Sequence, residues 1–201
     1  GLSTIKKIVG EFQIIDTEIM GFSFSALDSV IGGLRINYNG NLTNASLDNL
    51  KYVQDGIRIN NNSNNSLNVA LPSLRQASYS YLSEINNLNI PLLEITNFMY
   101  VNNVNYVTGF NNIISMDHLS IDASNVNGFN SLQSVNSVNL NIDNSINGFN
   151  SLTTFPSGYF GYNLESFKGF NAITQINSSL TIRSDTMDAF NSLTQVNGHI
   201  N

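Results

Sequence analysis

Cysteine is absent from this chain of 201 residues, proline occurs three times, and charged side chains make up 11% of the sequence. Without cysteine the chain can form no disulfide, no thiolate metal site and no thiol nucleophile. Globular domains usually contain about a quarter charged residues, so other polar groups must solvate this surface. No apolar run approaches the roughly 18 residues of a membrane-spanning helix, and we expect no membrane insertion of this segment.

Basic residues are scarce as well. Eight lysines and arginines stand against fourteen acidic residues, which gives a formal net charge of −6. The basic residues are scattered, and Lys6 and Lys7 form their single adjacent pair. A surface of this charge offers little attraction to nucleic acid, so we expect no nucleic-acid partner.

Asparagine supplies the polarity that charged residues do not, with 35 copies spread along the chain. A bias of this kind is also found in disordered tracts. Here, however, 41% of the residues are hydrophobic, and Leu, Ile, Val and Phe recur at regular spacings. These spacings indicate a packed core.

A repeat is clearest in the second half of the chain, where Gly-Phe-Asn recurs at Phe110, Phe129, Phe149 and Phe170 and becomes Ala-Phe-Asn at Phe190. A fixed period of about 20 residues is typical of a solenoid. With this Phe as position zero, apolar residues follow at positions three and six and then twice more, two residues apart. Ten such registers start at residues 2, 24, 47, 71, 90, 110, 129, 149, 170 and 190.

Each register has two halves with different periods. The spacing of three favours a short 3-10 or α turn, and the spacing of two favours a β-strand. Glycine separates the halves at Gly10, Gly33, Gly56 and Gly198. The sequence therefore predicts one solenoid domain over residues 1–201, with about ten coils of 19–24 residues, one parallel β-sheet and short turns and loops. Because the chain opens and stops in mid-coil, we expect it to be part of a longer protein.

The register Leu2-Ser3-Thr4-Ile5-Lys6-Lys7-Ile8-Val9-Gly10-Glu11-Phe12-Gln13-Ile14 resembles the receptor L-domain family, and the segment from Leu193 to Ile200 is similar to it. The Gly-Phe-Asn-Ser-Leu segments at Phe129 and Phe149 resemble L-domain-like repeats of bacterial cell-surface proteins. The resemblance implies a right-handed leucine-rich-repeat-like solenoid that engages ligands at a cell surface. Family members from animals contain cysteines that this chain lacks, so no binding residue is transferred.

Asparagine recurs just after position zero and beyond many strands, as at Asn37, Asn60, Asn102 and Asn144. Two interpretations are open. In the first, stacked Asn side chains hydrogen-bond the loop backbone of neighbouring coils. In the second, an exposed Asn array binds sugar or ice. The first requires no ligand and is favoured.

Candidates for catalysis are few. His118 and His199 lie at predicted strand entries, where a structural histidine is the simpler interpretation. Asp122, Asp143 and Asp185 follow strands, but Asp122 is out of line with the other two, which align from coils roughly 9.6 Å apart. We therefore predict no catalytic residue, no metal site and no cofactor.

Outward-facing strand residues can contact a ligand, because alternate residues of a strand face opposite ways. By register these include Arg35, Arg58, Ser80, Tyr100, Ser120, Asn139, Tyr159 and Thr181. The candidate ligand-binding residues are Arg35, Arg58, Ser80, Tyr100 and Tyr159, since Arg and Tyr are favoured at interfaces. Tyr79, Tyr81 and Phe98 lie nearby, and the alternative is that these aromatic residues fill an irregular core.

Together the patterns predict a non-enzymatic recognition or adhesion module that binds a protein or a glycan with its sheet face. A cysteine-free chain favours a bacterial source, since secreted animal domains of this kind are usually rich in disulfides. We expect an extracellular or cell-surface location. Two alternatives are open, namely a polysaccharide-active parallel β-helix enzyme and a structural scaffold without a ligand.

Overall fold

A computed structural model describes residues 2–62, 66–155, 164–177 and 181–199, and in this part the chain consists mainly of parallel strands joined by turns. The strands are β1 (Lys7–Val9), β2 (Phe12–Ile15), β3 (Gly21–Ser23), β4 (Ser29–Ile31), β5 (Gly33–Asn37), β6 (Asn44–Ser46), β7 (Tyr52–Asn60), β8 (Asn68–Ala70), β9 (Gln76–Ile90), β10 (Phe98–Gly109), β11 (Ser115–Gly128), β12 (Ser134–Gly148), β13 (Leu164–Gly169), β14 (Gln175–Ile176), β15 (Ser184–Ala189) and β16 (Gln195–Val196).

The strands pair in parallel from one coil to the next, which is the arrangement of a parallel β-solenoid. Nine strands follow one another through the main sheet in the order β1-β4-β7-β9-β10-β11-β12-β13-β15. The solenoid predicted from the repeat is therefore confirmed, with about nine turns in this sheet. The described residues contain one helix, the 3-10 turn Leu2–Thr4, and none that could cross a membrane.

Each coil carries up to three strand segments rather than the single strand that the sequence predicts. In the second coil these segments are β4, β5 and β6, which pair with β1, β2 and β3 of the first coil. We call them the first, second and third strand rows. From β9 to β12 the three segments merge into strands of 12 to 15 residues.

The apolar spacing of three corresponds to a tight turn and not to a helix. The N–H at position three donates to the carbonyl at position zero, over 3.1 Å from Leu132 to Phe129 and 3.2 Å from Leu152 to Phe149. The apolar residue at position six already belongs to a strand, as Val135 does in β12. This bond from position three to position zero is that of a 3-10-type turn, one of the two alternatives that the sequence predicts, and the residue at position six extends the sheet.

The phenylalanines at position zero form a buried ladder through the core. Phe110, Phe129, Phe149 and Phe170 are fully buried, and neighbouring rings stack 4.9–5.0 Å apart and within 9° of parallel. Their backbone φ values lie between 56° and 59°, a conformation that bulky residues rarely adopt. Burial of the rings in register offsets this backbone strain.

The glycine before each of these phenylalanines allows the coils to approach closely. A Cβ atom built on Gly148 or Gly169 would lie 1.9 Å from the carbonyl oxygen of the glycine one coil earlier. No side chain fits at that distance, so the close approach of the coils there depends on glycine. Ala189 occupies the equivalent position in the last coil, and the Phe190 ring is tilted by 27° from that of Phe170.

Asparagine side chains connect neighbouring coils. Asn39 and Asn62 are fully buried, and the Oδ1 atom of Asn62 accepts from both the backbone N–H and the side-chain amide of Asn39 at 3.0 Å. The amide of Asn62 donates to the Ile36 carbonyl at 2.7 Å. Asn39 and Asn62, which the sequence analysis did not name, thus play the structural role predicted for stacked asparagines, because they satisfy turn backbone that burial has removed from water.

A second Asn ladder follows the buried phenylalanines. The side-chain amide of Asn150 donates to Asn130 over 2.8 Å, and that of Asn171 donates to Asn150 over 3.0 Å. These side chains lie at the same turn in successive coils, so each one repeats the bond of its neighbour. The recurring Asn after position zero is thus explained by a bond that a solenoid can repeat at every coil.

One hydroxyl of the core lacks a hydrogen bond. Ser80 is fully buried and is paired in register with Ile57 and Met99 on the neighbouring strands. Its Oγ atom makes no hydrogen bond with any described residue. A buried hydroxyl without a hydrogen bond lowers the stability of the folded state.

Gly148→Ala should lower the free energy of unfolding by about 3 kcal/mol or more, because the new methyl group overlaps the Gly128 carbonyl and the coils must separate. Urea denaturation followed by circular dichroism measures the change. Gly40→Ala is the matched control, since a Cβ there meets nothing within 4 Å, and its effect should stay within about 0.5 kcal/mol. Equal effects of the two substitutions would contradict the proposed role of close approach.

Ser80→Ala should raise the free energy of unfolding by about 1 kcal/mol, because it removes the unpaired hydroxyl and changes the side-chain volume little. Ser137→Ala, at an exposed position of β12, serves as the control and should have almost no effect. The same urea titration tests both variants. A destabilised Ser80→Ala protein would show that the hydroxyl has a partner in solution.

Candidate functional site

The outward side of the second strand row carries a column of large side chains. Arg35 pairs with Arg58, Arg58 with Tyr81, and Tyr81 with Tyr100 on successive strands from β5 to β10. Smaller side chains continue the column, because Tyr100 pairs with Ser120 on β11. The parallel register thus places residues from separate parts of the sequence beside one another on one face.

The tyrosines of this column contact each other, Arg58, and His118, which lies two residues before Ser120 on β11. The Arg58 guanidinium carbon lies 4.9 Å from the centre of the Tyr81 ring, within the range of a cation–π interaction. The Tyr81 and Tyr100 ring centres are 6.5 Å apart, and those of Tyr100 and His118 are 4.8 Å apart, each pair tilted by 34°. We call Arg58, Tyr81, Tyr100 and His118 the aromatic ladder.

The ladder lies at the surface. The exposed fraction is 41% for Tyr100 and 43% for its neighbour Phe98, while Tyr81 is half-buried. The alternative that these aromatic residues fill an irregular core is therefore wrong for Phe98 and Tyr100, which are exposed, while Tyr79 and Tyr81 are half-buried. The core beneath them is filled by aliphatic residues such as Leu82 and Val101.

Two of the candidate residues from the sequence, Arg58 and Tyr100, lie on either side of Tyr81, and each of them contacts the Tyr81 ring. Arg35 is more distant along the column, and its guanidinium forms an ion pair with Glu11 at 2.9 Å. Tyr159 lies outside the described residues. Of the other outward positions, Ser120 and Asn139 continue the column towards β12, and Thr181 is half-buried.

The predicted outward orientation of Ser80 is wrong, since Ser80 faces the core. The coil of β9 has one residue fewer between its first and second rows than the coil of β7, and the pairing shifts between Val53 and Gly56. A shift of one residue exchanges the two faces of a strand, so Tyr79 and Tyr81 face outward. This irregularity cannot be read from an apolar spacing that treats Tyr and Leu alike.

A shallow groove of about 570 Å³ lies beside the ladder. Its lining consists of two tyrosines, one aliphatic residue and a set of polar residues, namely Tyr81, Tyr100, Val101, Asn102, Ser120, Asp122, Asn139 and Asn141. The sequence analysis placed Tyr81 near the candidate residues, did not name Asn141 as a candidate, considered Asn102 only as a recurring asparagine, and treated Asp122 only as a catalytic candidate. Their shared outward position on adjacent strands is the signal that would have identified them.

The acidic residues near this groove do not form a cluster. Asp122 pairs with Asn141, and Asp143 follows two residues later at an exposed position, as the register predicts. Asp122 is the one carboxylate among the lining residues. Across residues 2–62, 66–155, 164–177 and 181–199, no group of three or more acidic or histidine side chains could hold a metal ion.

Comparisons of the chain with protein-family models, with curated proteins and with solved structures found no match.

Proposed function

We propose that the protein is a non-enzymatic recognition or adhesion module that binds a glycan or a protein with the outward side of its second strand row. The observation that carries this proposal is the exposed aromatic ladder beside a polar groove. Tyr and Arg are enriched among the residues that dominate binding energies. The rigid sheet beneath them holds these side chains in place before a ligand arrives, which limits the entropy lost on binding.

The arrangement of acidic groups supports a binding function over the alternative of a polysaccharide-active enzyme. Glycoside hydrolysis usually needs two carboxyl groups that face each other across the bond to be cleaved. The groove contributes one, from Asp122, and the remaining polar groups of its lining are hydroxyls and amides that bind without taking up a proton at neutral pH.

We further propose that the solenoid is right-handed, leucine-rich-repeat-like and related to L-domain-like proteins of bacterial cell surfaces. The coil length of 19–24 residues and the Gly-Phe-Asn segments support this proposal. The three strand rows differ from the single row that such a relationship leads one to expect. The same relationship supports an extracellular or cell-surface location, because the repeats that these segments resemble are found on cell surfaces.

The proposal is tested with the purified chain against two sets of probes, polysaccharides and extracellular matrix proteins, which are immobilised on the sensor for the binding measurement and mixed with the chain in solution for the cleavage assay. Biolayer interferometry measures binding, and a reducing-end assay of the same mixtures detects cleavage. Saturable binding without new reducing ends is the expected result. New reducing ends would instead support the enzyme, and no binding to either set would favour a structural scaffold.

Tyr100→Ala should weaken binding to a probe identified in this way by roughly tenfold, because the substitution removes an exposed aromatic surface next to the groove. Tyr106→Ala is the matched control. Tyr106 is 50% exposed and also lies on β10, but in the part of β10 that belongs to the third strand row. Equal losses from both variants would exclude the second row as the binding face.

A further inference from the structure

We infer that the groove beside the aromatic ladder binds an uncharged oligosaccharide chain laid across strands β9 to β12. This inference rests on the proposed function and specifies the ligand class of the same site. It is drawn from the shape of the groove, from the hydrogen-bonding state of its side chains and from its charge.

One half of the groove is lined by tyrosines, and the other half is lined by smaller polar side chains. Along the column, Tyr81 and Tyr100 stand on β9 and β10, and Ser120 and Asn139 stand on β11 and β12. Four neighbouring strands at about 4.8 Å spacing cover roughly 14 Å, which suits an extended ligand of a few sugar rings better than a single small molecule. The tyrosines offer apolar surface to the C–H groups of a ring.

The asparagines that line the groove differ in their hydrogen bonding from other asparagines of β11 and β12. On β11 and β12, Asn125 and Asn147 are bonded to asparagines of neighbouring coils. Asn102, Asn139 and Asn141 line the groove, and their side chains make no hydrogen bond within the described residues. Each free amide can donate and accept at once, which is the pattern that hydroxyl groups of a sugar require.

The charge of the groove favours a neutral ligand. Asp122 is half-buried, and its carboxylate makes no ion pair with any described residue. It can only accept hydrogen bonds, so its ligand partner must be a donor such as a hydroxyl group. Acidic sugars would be repelled by Asp122 and by the net charge of −6. A cationic sugar oligomer carries a charge on every ring, and Asp122 is the one carboxylate among the lining residues, so its other charges would meet no counter-charge there.

The experiment titrates the purified full chain with hexasaccharides of three charge classes in isothermal titration calorimetry. Cello-, manno- and N-acetylchito-hexaose are neutral, galacturonic acid hexamer is acidic, and glucosamine hexamer is cationic. We expect saturable binding of at least one neutral chain, with an affinity that changes little between about 50 mM and 500 mM salt. The acidic and cationic chains should bind at least tenfold more weakly.

Two substitutions locate that binding in the groove. Tyr100→Ala and Asp122→Asn should each weaken binding of the neutral chain by roughly tenfold, the second because a charged acceptor bonds more strongly than an amide. Asp143→Asn is the matched control, since Asp143 is exposed and does not line the groove, and it should leave the affinity unchanged. Circular dichroism checks that each variant is folded.

The inference is overturned if no neutral chain binds, if a charged chain binds more tightly, or if binding of a neutral chain survives both groove substitutions. Failure of the broader proposal gives a different result. A protein or a charged glycan that binds the wild-type chain and is lost in Tyr100→Ala would refute the neutral ligand and retain the recognition module. If no probe is sensitive to Tyr100→Ala, both are refuted.

Discussion

Main-chain pairing between successive coils is the constraint on which the rest of this structure depends. Parallel strands hold neighbouring coils about 4.8 Å apart, and any side chain that recurs at the same place in each coil must tolerate that spacing. Phenylalanine tolerates it by stacking its rings, as Phe129 and Phe149 do at 5.0 Å. Glycine at residues 128 and 148 tolerates it because it has no side chain, and asparagine does so by bonding to its own copy in the next coil.

The same constraint produces the candidate site. A parallel register converts residues that are about twenty positions apart in sequence into neighbours, so Arg58, Tyr81 and Tyr100 meet although no short motif contains them. In most of the described chain, repeated polar side chains use this proximity to bond with each other. Where the column changes from tyrosine to serine and asparagine, the side chains no longer match, and those of Ser120 and Asn139 make no hydrogen bond among the described residues.

The sequence predicted much of the fold and less of the site. The solenoid, the strands and the buried phenylalanines followed from apolar periodicity, because burial of apolar residues is the main source of stability. The orientation of Ser80 and Tyr81 did not follow, since a shortened coil shifts the strand register by one residue. The left-handed backbone of the phenylalanines was not predicted either, because apolar spacing carries no information about φ.

By itself, therefore, the sequence determined that this chain is a solenoid of short coils, rich in asparagine and without the side chains for disulfide or thiolate chemistry. Only the tertiary structure decided that each coil carries three strand rows, and that tyrosine, arginine and histidine of four coils share one exposed face. The physical reason is that periodicity reports which residues are buried, whereas the neighbours of an exposed residue are set by the register between coils. That register depends on local insertions and on main-chain hydrogen bonds that side-chain patterns do not encode.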